Sequence, residues 1–74
     1  MEYNQWSNRS TTTRRKAVVI IDGATLLLVA TLLGNEWGIS LFYDNKFLGY
    51  KEVANLPSPK FIAIQLLKDI GVLE

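Results

Sequence analysis

The sequence predicts an α+β fold: a four-stranded antiparallel β-meander followed by one C-terminal α-helix, in the order ββββα, behind a flexible N-terminal arm. Three observations predict it. Turn-forming dipeptides recur every ten to twelve residues through the middle of the chain. The pairing register those turns impose gathers apolar residues on one sheet face. A Ser-Pro pair then introduces an amphipathic run near the C-terminus.

Residues 1–13 read as the arm and 14–74 as a single small domain. The arm is polar, with Ser7, Ser10 and three successive threonines, although Tyr3 and Trp6 are available as anchors. It is also the basic part of the chain. Residues 1–16 carry Arg9, Arg14, Arg15 and Lys16 against Glu2, a balance of +3, which leaves −2 for the rest of a chain of net charge +1.

The dipeptides are Asp22-Gly23, Gly34-Asn35 and Asp44-Asn45. Each suits a two-residue hairpin loop, because Gly, Asn and Asp tolerate the positive φ of type I′ and II′ turns. Strands are expected at about 15–21, 24–33, 36–43 and 46–53. Two-residue loops set Ile21 opposite Ala24, Leu33 opposite Glu36 and Tyr43 opposite Lys46. One face then reads Ala17, Val19, Ile21; Ala24, Leu26, Leu28, Ala30, Leu32; Trp37, Ile39, Leu41, Tyr43; Lys46, Leu48, Tyr50, Glu52. Only Lys46 and Glu52 are charged, both on the last strand. A competing reading makes Ala24–Leu33 a helix ended by Gly34, since Ala and Leu are strong helix formers; the order would then be βαββα.

Pro57 ends the extended region, Ser58 suits an N-cap and Pro59 the first helical position. Ile62, Ala63, Leu66, Leu67 and Ile70 share one side, Gln65, Lys68 and Asp69 another, and Gly71 is placed to stop the helix. The apolar side should cover the uniform sheet face. A few hundred Å² of such cover, at about 25 cal/mol per Å², is worth several kcal/mol.

At 74 residues the chain is short enough that a partner subunit, a disulfide or a metal commonly supplements the core. No cysteine and no histidine are present, which excludes disulfides, thiolate sites and Ser-His or Cys-His catalysis. The five glycines are isolated, so no phosphate-binding glycine loop exists. Neither a cofactor nor a metal is expected, no small-molecule substrate is evident, and the protein reads as no enzyme. The apolar run Lys16–Gly34 is interrupted by Asp22-Gly23, and an Asp near a bilayer centre costs roughly 2.5–3.5 kcal/mol, so no membrane role is expected. Lacking a signal segment, the chain is expected to be cytoplasmic. Asn8-Arg9-Ser10 fits a glycosylation sequon, a pattern that arises often by chance.

Val18-Val19-Ile20-Ile21-Asp22-Gly23 resembles the first strand of NYN/PIN-type nucleases, where an Asp at the strand end helps hold a divalent metal. The resemblance covers about six residues. Ala24-Thr25 stands where the NYN pattern commonly has Asn, and Asp22 reads more simply as a hairpin-turn residue.

The second sheet face carries the functional expectation. Val18, Leu27, Phe42 and Phe47 form a row across all four strands, and Ile20 and Val29 extend it. The single helix is needed on the other face, so this stripe is left for a partner chain or for the arm. Gly38 and Gly49 beside it would allow close backbone approach. The expected function is a non-enzymatic interaction module, a small homodimeric adaptor, inhibitor or accessory subunit. The alternative is a single-stranded nucleic-acid-binding domain that stacks bases on Phe42 and Phe47, with Arg14, Arg15, Lys16 and Lys51 meeting phosphates. A four-stranded antiparallel sheet followed by a helix is also the layout of a class of dimeric single-strand DNA-binding domains. The near-neutral charge weighs against that alternative.

Overall fold

A computed structural model of the chain describes residues 3–7 and 13–73. Most of the expected arm, with Arg9 and the sequon Asn8-Arg9-Ser10, lies outside the described residues. The elements are β1 (Arg14–Ile21), β2 (Ala24–Leu33), β3 (Glu36–Tyr43), β4 (Lys46–Val53) and α1 (Pro59–Asp69). The strands form one sheet in the order β1-β2-β3-β4, each antiparallel to the next. The fold is therefore ββββα. Residues 24–33 are strand, not helix: Leu26, Leu28 and Ala30 alternate into the core, and this burial overrides the helical preference of Ala and Leu.

The turns have the backbone their sequences require. Both central residues take positive φ at Asp22-Gly23 (51° and 81°) and at Asp44-Asn45 (53° and 63°), the type I′ pattern. At Gly34-Asn35 only Gly34 does so, at 64°, the II′ pattern. Ile21 pairs with Ala24, Leu33 with Glu36 and Tyr43 with Lys46. These two-residue turns fix which residues meet across the sheet.

The core lies between one sheet face and the helix. Ala17, Val19, Leu26, Leu28, Ala30, Ile39 and Leu41 supply the sheet side; Ile62, Ala63, Leu66 and Leu67 supply the helix side. Ser58 occupies the N-cap position, but its side chain makes no capping bond; its carbonyl accepts from the Ile62 amide at 3.1 Å. The C-terminus closes as a Schellman motif. Gly71, at φ +85°, donates to the Lys68 carbonyl and Val72 to that of Leu67. Ile70, expected in the apolar side, is 41% exposed. No helix among the described residues is long and apolar enough to cross a membrane.

One register expectation fails. Phe42 pairs with Phe47, but Leu41 pairs with Gly49, so Leu48 is an extra residue in β4. A β-bulge of this kind exchanges the faces beyond it. Gly49, Lys51 and Val53 turn toward the helix, while Tyr50 and Glu52 turn away from it. The physical reason is visible in what the bulge avoids: without it Glu52 would point under an apolar helix face. Instead α1 passes directly over Gly49, where a Cβ would stand 3.5 Å from Ile70 and 3.7 Å from Leu66. Lys51 reaches Asp69 on the helix, Nζ to Oδ2 at 3.3 Å.

The described part of the N-terminal segment lines the outer edge of β1. The Asn4 amide donates to the Val18 carbonyl at 2.7 Å and the Ser7 amide to that of Lys16 at 2.8 Å. In return the Ile20 amide donates to Asn4 Oδ1 and the Lys16 amide to Ser7 Oγ. Trp6 packs against the core and donates from Nε1 to the Pro57 carbonyl at 2.6 Å, which ties the segment to the loop before α1. Backbone groups that would otherwise template another chain are thus occupied along β1.

Candidate functional site: the open sheet face

The sheet face turned away from α1 is built in rows by the observed pairing. One row is Val18, Leu27, Phe42 and Phe47. The next is Lys16, Val29, Ser40 and Tyr50; the next is Arg14, Thr31, Gly38 and Glu52. Ile20 and Leu33 lie on the same face beyond either end. All six apolar residues of the expected stripe, Val18, Ile20, Leu27, Val29, Phe42 and Phe47, therefore share this face.

Among the described residues, nothing covers this face. Ile20 is 37% exposed, Leu27 36%, Leu33 49%, Tyr50 46% and Phe47 59%. Val18, Val29 and Phe42 are half-buried by their neighbours. Residues 3–7 run along the β1 edge and Trp6 turns to the helix side, so the described part of the arm does not cover the stripe. Phe42 and Phe47 meet edge to face across β3 and β4, with ring centroids 5.8 Å apart. Such a pair contributes about 0.5–1.5 kcal/mol beyond its buried area and holds both rings in place.

The polar groups of this face are sorted by sign. Lys16 and Arg14 stand on β1, at one corner. Glu36 and Glu52 stand on β3 and β4, at the corner across the same end of the sheet. Tyr50 donates from its hydroxyl to Glu52 Oε2 at 3.0 Å. That hydrogen bond, with some burial and the nearby charges of Glu52 and Glu36, raises the Tyr50 phenol above its usual range. The phenol therefore stays protonated and donating at physiological pH.

Several sequence expectations need correction here. Lys51 was placed beside Phe42 and Phe47; the bulge puts it on the helix side, paired with Asp69. Arg15 faces the helix side by strand alternation and donates to the Ser7 carbonyl at 3.1 Å. Only Arg14 and Lys16 of the four basic residues stand on the open face. Neither glycine gives backbone access: Gly49 lies under α1 and Gly38 under Tyr50. Conversely, Tyr50 and Glu52 were expected on the helix side and belong to this face, and Leu33, on this face in the expected register too, was left out of the expected site. Two signals pointed to Tyr50 and Glu52, a glycine inside a strand and a carboxylate on a nominally buried face.

Other chemistry is sparse. Asp22 is an exposed turn residue at positive φ, and among the described residues no three His, Cys, Asp or Glu side chains come together to hold a metal. An open apolar pocket of about 330 Å³ lies on the helix side, between the β1–β2 turn, Tyr43, Leu48 and the C-terminal Val72 and Leu73. Its lining is almost wholly apolar, with Asp22 the one charged contributor. Compared with protein-family models, with curated proteins and with solved structures, the chain matches none.

Proposed function

We propose that the protein is a non-enzymatic interaction module, which buries the open sheet face against a second protein chain and most simply against its own copy. The observation that carries this reading is the contiguous apolar face of Ile20, Leu27, Leu33, Phe47 and Tyr50, left exposed while the helix covers the opposite face. Contiguous exposed apolar surface is costly in water and characteristically marks an interface. The domain is small enough for a partner to add materially to its stability. The adaptor, inhibitor and accessory-subunit roles all follow from the same surface.

Phe47→Asp tests the reading. Phe47 is the most exposed member of the stripe, so the substitution leaves the core intact. The wild-type chain should show a mass by light scattering that rises with concentration, and the folded variant should stay at 8.4 kDa. A folded variant that self-associates as strongly as the wild-type chain would refute it.

A nucleic-acid reading retains Phe42, Phe47, Arg14 and Lys16 on this face. It loses Lys51 and Arg15, and with them half of its phosphate contacts. Its mark would be single-stranded oligonucleotide binding that weakens steeply with salt.

A further inference from the structure

Resting on the interaction reading, we infer that the partner is a second copy of this chain, related by a two-fold axis that runs parallel to the strands between β2 and β3. In this arrangement β1 of each copy lies over β4 of the other.

The footprint sets the first constraint. Four strands about 4.8 Å apart, eight residues long at about 3.3 Å each, give a face of roughly 500 Å² in projection. A stable dimer commonly uses about 800 Å² of accessible surface per partner. Nearly the whole face must therefore take part, and the charged corners cannot be left outside.

Sheet packing sets the second constraint. Stacked sheets keep their strands within about 30° of one another. A two-fold axis lying in the interface doubles its own angle to the strands. It must then run nearly along the strands or nearly across them.

The charge pattern chooses between the two. An axis across the strands lays β1 on β1 and reverses the order of the rows. Lys16 would face Lys16, and Glu52 would sit on the Phe47 row. An axis along the strands keeps each row in place and exchanges β1 for β4. Val18 then meets Phe47, Leu27 meets Phe42, Lys16 meets Tyr50 and Arg14 meets Glu52, with the acidic corner of one copy on the basic corner of the other. Only the second arrangement sets the Val18–Leu27–Phe42–Phe47 row on itself and opposite charge on opposite charge, with Leu33 meeting Glu36 at the rim. The Tyr50–Glu52 hydrogen bond, 3.0 Å, already holds the acidic group in position.

Charge exchange tests the axis. Arg14→Glu and Glu52→Lys should each weaken self-association about five- to tenfold at low salt, since each places two like-charge contacts in the dimer. An equimolar mixture of the two variants should associate about as tightly as wild type, because every Glu at position 14 then meets a Lys at position 52. The double variant should recover likewise. Circular dichroism confirms that each variant is folded. A mixture no tighter than either variant alone, with Phe47→Asp still dissociating, would overturn the axis and leave the interaction reading standing. A wild-type chain that stays monomeric at several hundred micromolar would overturn the second copy as partner. A folded Phe47→Asp variant that associates as wild type does would remove the interaction reading itself.

Discussion

Tyr50 occupies the space that a side chain at position 38 would need. A Cβ built on Gly38 collides with the Tyr50 hydroxyl and comes within 2.9 Å of Leu33. Gly38 is paired with Glu52 and Ser40 with Tyr50, so the ring reaches diagonally across to cover the glycine. This covering explains how a glycine is tolerated inside a central strand. Gly38→Ala should destabilise the domain by about 1–2 kcal/mol, as crowding a fitted site does. Urea unfolding checks it; an equal or higher midpoint would show that Tyr50 moves aside freely.

The same tyrosine predicts a pH effect. Its phenol is raised chiefly by the hydrogen bond to Glu52, so Glu52→Gln should lower it toward the ordinary value near 10. The folded state binds this proton more tightly than the unfolded chain. The associated stability is therefore present below about pH 10 and is lost as pH rises through the folded value. Phenolate absorbance in a spectrophotometric titration reads the shift. An unchanged curve in Glu52→Gln would sever the link between the two residues.

The Asp44-Asn45 turn should respond to its backbone. Asn45 sits at φ +63°, where an ordinary side chain costs roughly 1–2 kcal/mol. Asn45→Ala should lower stability by about 1 kcal/mol, while Asn45→Gly should hold or raise it. Thermal unfolding of the pair decides the matter; the reverse order would contradict the I′ assignment.

Trp6 predicts a role for the N-terminal segment in protecting the sheet. It packs on the core and donates to the Pro57 carbonyl, anchoring residues that occupy the β1 edge. Trp6→Ala should destabilise the fold by about 2–3 kcal/mol, somewhat less than a fully buried tryptophan. The uncovered edge should also make the variant more prone to aggregate. Unfolding and turbidity measurements test both; a variant as stable and as clear as wild type would contradict the anchor.

Most of the sheet was legible in the sequence because Asp22-Gly23, Gly34-Asn35 and Asp44-Asn45 each dictate a two-residue loop, and a loop of known length fixes the register. The helix was legible from Ser58, Pro59 and Gly71 together with the spacing of Ile62, Ala63, Leu66 and Leu67. What escaped was local to β4. A single inserted residue, Leu48, carries no compositional mark of its own, yet it exchanges the faces of Gly49, Tyr50, Lys51 and Glu52. Val18, Ile20, Leu27, Val29, Phe42 and Phe47 share one face, as the expected register has it, because they lie before the bulge. Glu52, which completes the acidic corner beside Glu36, was missed because it lies after the bulge. The anchoring of Trp6 was beyond reach too, since its acceptor is a backbone carbonyl 51 residues away.

The central claim is that Val18 of one chain rests on Phe47 of another. Within one chain these residues stand on β1 and β4, three strand spacings or about 14 Å apart, too far for a proton–proton Overhauser contact. An isotope-filtered NMR experiment on a mixture of labelled and unlabelled chains measures the contact directly. Cross-peaks between Val18 methyls and Phe47 ring protons of different chains are the result expected. Their absence at millimolar concentration, with the Phe47 ring still open to solvent, would contradict the claim.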